Sequence, residues 1–179
     1  MKYILVPFTL ICSLFFLFSC SSRSSISPAQ VNTLTERQEF TFMAERAHPT
    51  GMDVINSMYA LRNGSAGRLL ELDYGYSIVL KRDEMEVTLP YFGRMYVPSM
   101  DPDKNSYRFT SKKFSVMPEQ KKKGSTVFTI AVEDQPHVQK VIIEVFNNGK
   151  AYVAIDSNDR QAISYDGYIT ANAVPKDKP

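Results

Sequence analysis

Apolar and polar side chains alternate most regularly between residues 76 and 89. Tyr76, Ile78 and Leu80 are interleaved with Ser77, Val79 and Lys81, and Met85, Val87 and Leu89 with Glu84, Glu86 and Thr88. A period of two belongs to half-buried strands. Reversal of the chain at Arg82-Asp83 sets Leu80 against Met85, Ile78 against Val87 and Tyr76 against Leu89, and puts Lys81 beside Glu84 on the other face. That register gathers six large apolar residues on one side, whereas a slip of one residue mixes the faces.

Asn148-Gly149, between Val138–Phe146 and Lys150–Ile155, marks a second hairpin, because Asn and Gly both tolerate positive φ. Pairing across it sets Phe146 against Ala151, Val145 against Tyr152 and Ile143 against Ala154. Both faces are then largely apolar, which predicts central strands. Phe128, Ile130 and Val132 alternate with Thr129, Ala131 and Glu133 in another strand, joined by a solvated Lys121-Lys122-Lys123-Gly124 turn to Phe114–Glu119. A sharper reading of those lysines is a basic cluster for anionic lipid.

Weaker patterns predict strands at Phe40–Ala44, Arg68–Tyr74, Tyr107–Thr110 and Gln161–Thr170, the last kinked at Asp166-Gly167. In Met52–Arg62, the residues Met52, Ile55 and Tyr59 fit a helical face, while Ile55, Tyr59 and Leu61 fit an alternating one; we read it as a strand ending in an Asn63-Gly64 turn. Ser27-Pro28-Ala29-Gln30 combines an N-cap serine, a proline at the first helical position and a glutamine three residues after the cap, which predicts a short helix from Pro28 to Arg37. Together these give a mainly β chain: one antiparallel barrel or sandwich-like domain of eight or nine strands over residues 28–173, preceded by that helix and followed by a frayed tail at 174–179.

The first residues have a different purpose. Lys2 precedes an apolar run that ends at Ser19, too short to span a bilayer, which predicts a signal peptide over residues 1–19. Leu17-Phe18-Ser19-Cys20 resembles the bacterial lipobox, in which the signal is cut before a diacylated cysteine; Phe18 is bulkier than that pattern usually allows. Cys12 is lost with the signal, so Cys20 is the single thiol left and no internal disulfide can form. Acyl chains on Cys20 would bury many methylenes at about 0.8 kcal/mol each, enough for lasting attachment. Residues 20–27 then read as the lipidated Cys and a Ser-rich tether.

Composition narrows the function only by exclusion. The chain has 179 residues, 44% hydrophobic and 22% charged, with 21 Lys and Arg against 19 Asp and Glu. Spread evenly, that balance leaves no basic stripe for nucleic acid. His48 and His137 have no partner at helical or metal-ligand spacing, and no nucleophile-elbow pattern occurs, so no catalytic residue, metal site or cofactor is assigned. Asp101-Pro102-Asp103-Lys104-Asn105 has the oxygen spacing that opens a calcium-binding loop, but Ser106 and Lys112 stand where the turn glycine and the bidentate Glu belong, so a polar surface turn is the better reading.

What remains is an aromatic segment, Leu89-Pro90-Tyr91-Phe92-Gly93-Arg94-Met95-Tyr96-Val97-Pro98. Tyr91, Phe92, Arg94 and Tyr96 form a candidate recognition loop of the Tyr/Arg type found at interfaces; the competing reading is a plug for one end of the domain. Phe40-Thr41-Phe42, the Ala44 to Pro49 stretch, Leu89 to Tyr96, and Asp159 to Ile169 resemble the markers of the domain of unknown function 4251 family, small exported proteins of gut-type Gram-negative anaerobes, many of them lipoproteins. The likeness runs from about residue 36 to 170. The chain departs from it in extra residues around Met52–Ala66 and in Met95, where the family usually shows Ala. No activity is established for that family, so the resemblance implies location and a compact β-rich domain and transfers no catalytic residues.

The expectation is therefore an envelope lipoprotein held by lipid, facing the periplasm from the outer membrane, that acts as a non-enzymatic binding or scaffolding module for an envelope protein or glycan. The alternative is an enzyme acting on envelope polymers, which requires a histidine or converging carboxylates in a cleft. The loop reading predicts that Arg94→Ala and Tyr91→Ala weaken partner capture without lowering the melting temperature.

Overall fold

The structure is a computed structural model and describes residues 26–61, 70–96, 105–122 and 124–173. Cys20, the signal segment, the Asn63-Gly64 turn, the opening of the calcium-like loop and the tail at 174–179 lie outside those residues.

Helix α1 (Pro28–Arg37) begins as its sequence requires. The Gln30 amide donates to Ser27 Oγ at 3.3 Å and Gln30 Oε1 accepts from the Ser27 amide at 3.1 Å, a reciprocal box that satisfies two otherwise orphaned donors. Nine antiparallel strands follow: β1 (Phe40–Pro49), β2 (Ser77–Leu80), β3 (Met85–Pro90), β4 (Ser106–Ser111), β5 (Phe114–Lys121), β6 (Ser125–Val132), β7 (Val138–Phe146), β8 (Lys150–Ser157) and β9 (Ile163–Thr170). They form one nearly closed, barrel-like sheet in the order β4-β3-β2-β1-β9-β8-β7-β6-β5. The order contains eight antiparallel steps, so β4 and β5 run in the same sense, and only Lys112 and Lys113 separate them. They are two halves of one bent strand, paired with β3 before the bend and with β6 after it.

The bend is braced by Asp134. Its carboxylate accepts from the amides of Lys112 and Lys113 at 2.8 and 3.2 Å and from the Ser111 hydroxyl at 2.5 Å.

Inward-facing positions of the strands supply the core. Phe40, Phe42, Ile78, Leu80, Phe128, Ile130, Val141, Ile143, Val153, Ile155 and Tyr165 are fully buried, and the Phe40 and Phe128 rings meet across the interior at 5.4 Å. Val31 of α1 is also buried, so the helix closes the end of the barrel at which β1 begins.

The first hairpin has the register read from its alternation: Ile78 opposes Val87, Leu80 opposes Met85, and Lys81 Nζ stands 2.9 Å from Glu84 Oε1. In the second hairpin the register differs by one residue. Val145 pairs with Ala151, Ile143 with Val153 and Ile142 with Ala154. The loop holds three residues, with the Gly149 amide bonded to the Phe146 carbonyl at 2.9 Å and only Gly149, at φ +79°, in the left-handed region. Asn148 therefore acts through its side chain, accepting from the Lys150 amide at 3.0 Å. The shift has a clear cause: it places Val141, Ile143, Val145, Ala151, Val153 and Ile155 together on the buried face.

Met52–Leu61 is helix α2, not a strand. Ser57 interrupts the alternating template, while Asp53 suits a first turn and the Ile55 amide bonds the Gly51 carbonyl at 3.1 Å. Leu70–Tyr74 forms only a bridge, Glu71 opposite Arg46, before Gly75 at φ +114° turns the chain into β2. β9 is continuous from Ile163 to Thr170, and the irregularity at Asp166-Gly167 is a bulge in its partner β1, between Ala44 and Arg46. Gly167 faces that bulge, and a Cβ there would collide with the Met43 carbonyl oxygen. Among the described residues no helix is long and apolar enough to cross a membrane.

Candidate functional site

β3 runs out at Pro90, at the end of the barrel away from α1, and the aromatic segment begins there. It is stitched to the link between β8 and β9. The Gln161 amide donates to the Arg94 carbonyl at 3.0 Å, the Tyr96 amide donates to the Asp159 carbonyl at 2.8 Å, and Met95 bridges Arg160.

Under this stitching lies a cluster that the sequence did not announce. The Arg160 side chain is only 7% exposed, with its guanidinium carbon 5.0 Å from the Tyr91 ring centre and 4.9 Å from that of Tyr107. The two rings meet edge to face at 5.7 Å. Asp159 takes a forked pair from Arg160, Nε at 3.0 Å and Nη2 at 2.9 Å, and Nη1 has no hydrogen-bond partner among the described residues. Stacking on two electron-rich faces and a bidentate carboxylate together offset the cost of burying this cation.

Burial would by itself push the Asp159 carboxyl up, but the hydrogen bonds and charge of Arg160 hold it below the usual carboxylate range. Burial raises the phenols: Tyr91 upward, Tyr107 to about 12, and Tyr165 further still. They stay neutral donors at any physiological pH. Tyr165 Oη donates to the Pro90 carbonyl at 2.7 Å, and Tyr107 Oη meets Ser157 Oγ at 3.0 Å.

The candidate loop residues therefore divide. Tyr91 turns inward as a fastener, its hydroxyl 2.9 Å from the Arg94 carbonyl and 3.1 Å from that of Gln161. Phe92 is half-buried against the core. Arg94 points out and pairs with Asp53 of α2, and Tyr96 is 60% exposed. The segment is thus both plug and display. Arg160 and Asp159 were legible only as an acid–base neighbour pair inside the family-like stretch; nothing in their spacing distinguished them from surface charges.

His48 Nε2 lies 2.7 Å from Asp166 Oδ2 on the outer face of the sheet, both side chains well exposed. The neighbouring Ser164 hydroxyl bonds the His48 carbonyl, not its ring. His137 approaches Asn158 Oδ1 at 3.4 Å. Nearby, two open clefts of about 550 and 600 Å³ share Glu45 and Glu71. Among the described residues no group of three metal-ligating side chains occurs.

A nearly closed nine-stranded sheet, capped by a helix at one end and by a tethered aromatic loop at the other, defines a small β-barrel-like domain. The family model described as "Domain of unknown function (DUF4251)" matches residues 23–169, and the chain belongs to that family. A crystal structure of a DUF4251 family protein from Bacteroides eggerthii DSM 20697 is similar to it, at 11% identity, covering 80% of this chain and 87% of that one with a TM-score of 0.48. No curated protein matches the chain.

Proposed function

We propose that this protein is an envelope lipoprotein, cut before Cys20 and acylated there, whose β-domain faces the periplasm from the outer membrane as a non-enzymatic binding or scaffolding module. The observation that carries the address is the apolar run closing on Leu17-Phe18-Ser19-Cys20, followed within a few residues by the helix cap at Ser27. Support for binding is the fastened loop: Tyr91 and the backbone ladder to residues 159–161 hold Arg94 and Tyr96 outward on a rigid mount, which lowers the ordering cost of capturing a partner.

Intact-mass measurement of the protein from membranes tests the address; an unacylated terminus overturns it. For the binding role, Arg94→Ala and Tyr96→Ala are expected to lose an envelope protein or glycan in pull-downs at unchanged melting temperature. Retention by both variants removes the loop from the reading. Because Tyr91 anchors the loop, Tyr91→Ala is expected to cost stability as well.

The His48–Asp166 pair supports a second reading, a hydrolase of envelope polymers, since a carboxylate orienting an imidazole is the setting of a general base. Turnover of cell-wall glycan or peptide fragments by the wild type, abolished in His48→Ala, would establish it.

A further inference from the structure

We propose that the barrel end closed by α1 is a lipid-facing surface that rests on phosphate-bearing anionic headgroups. The proposal deepens the lipoprotein reading and rests on it. Its starting point is where the chain enters the domain. Ile26 packs directly over Gly149 in the β7–β8 turn, so whatever precedes it leaves from this end. Six Cα steps separate Cys20 from Ile26, at most roughly 20 Å of extended chain. An acylated Cys20 therefore keeps this end of the domain against the bilayer.

The side chains gathered there suit that neighbour. The β5–β6 and β7–β8 turns adjoin, since a Cβ on Gly124 would lie 2.6 Å from Asn147 Nδ2. Lys121 and Lys122 stand on the first turn and Lys150 just after the second, all exposed. Phe146, 41% exposed, borders one recess together with Lys121 and Lys122, and another together with Lys150; the further lining of the second includes Arg46, Glu45, Glu71 and Asp166. A large apolar ring among lysines is the composition of an interfacial anchor.

The carboxylates of the two recesses stand further back from the turns than these lysines, Asp166 opposite Tyr152, for example, two positions beyond Lys150. Glu144, half-buried on the outer face between Ile143 and Val145, is engaged 2.8 Å from Ser125 Oγ and 3.8 Å from Lys121 Nζ, and Glu119 is the exposed acid beside the Lys121–Lys122 recess. The exposed positions over the first turns of α1, Pro28, Ala29, Gln30, Asn32 and Thr33, carry no charge. Nothing on the helix opposes an anionic surface until Glu36. The loop with Arg94 and Tyr96 sits at the other end of β3, so this arrangement turns it away from the bilayer.

The test is partition of the protein, as purified from membranes, onto vesicles of phosphatidylcholine alone and of phosphatidylcholine mixed with phosphatidylglycerol. Binding to the neutral vesicles reports the acyl chains. The excess binding to the anionic ones reports the lysine face, so the two readings fail separately. The expected result is an excess that vanishes at high salt and falls by roughly tenfold to a hundredfold in Lys121→Gln/Lys122→Gln/Lys150→Gln, since each such lysine is worth about a factor of five near an anionic surface. Phe146→Ser should lower binding to both vesicle types. Equal partition of the wild type onto the two vesicles overturns the proposal, and so does an excess that survives the triple replacement. A thermal melt of the triple variant confirms that its fold is intact.

Discussion

Arg160 shows how much a single buried cation can organise. It is clamped by two phenol rings and a forked carboxylate, so its loss leaves Asp159, 12% exposed, without a counter-charge. Arg160→Met is expected to destabilise the domain by about 3 kcal/mol in urea denaturation, and Arg160→Met/Asp159→Asn by clearly less, because the double change removes the stranded charge. Tyr165→Phe deletes the hydroxyl that donates to the Pro90 carbonyl and should cost about 1 kcal/mol in the same assay. By contrast, Arg94→Ala touches only an exposed ion pair with Asp53 and should leave the unfolding midpoint in place. Residues with almost the same sequence appearance thus differ in burden, and only the fold tells them apart.

Among the elements, the bend that joins β4 to β5 depends on one carboxylate. The Ser111 hydroxyl, and then the amides of Lys112 and Lys113, hold the Asp134 carboxyl below its usual range. A depressed folded value means that this stabilisation is present above the ordinary value near 4 and is lost as the pH falls through the lower, folded one. Asp134→Asn should therefore flatten the acid limb of stability against pH, measured by denaturation between neutral pH and the onset of acid unfolding. Gly167→Ala should be among the most damaging exchanges in the sheet, since its Cβ meets backbone that a rotamer change cannot move; expression level and melting temperature check it.

Local pattern carried the 76–89 hairpin and β6 by alternation and α1 by its capping motif, because there the local signals all agree. It failed where they compete. At Asn148-Gly149 the dipeptide favoured a two-residue turn, yet burial of six apolar side chains on one face selected the three-residue loop. In Met52–Leu61 a few apolar residues fitted two periods, and the first-turn Asp53 was the discriminating signal. The Arg160 cluster assembles side chains from β4, β9 and two loops, a juxtaposition with no one-dimensional trace.

For the whole molecule, polarity follows from its two ends: the chain enters beside the β7–β8 turn, and the aromatic loop lies at the other end of the strands. On the lipoprotein reading, Cys20→Ala should move the protein out of the acylated membrane fraction while leaving the melting temperature of the domain unaltered, as checked by fractionation and calorimetry.

The bent strand also bears on behaviour in a crowd. An open sheet offers its rims as templates on which a second molecule can zip, a hazard that grows when many copies share one plane. Here the rim formed by β5 contains Pro118, which has no amide hydrogen to offer and so interrupts the row of donors that a second sheet would need. On the lipoprotein reading, this rim is therefore expected not to fuse with a neighbouring copy, which keeps dense coverage of a surface compatible with single, separable molecules.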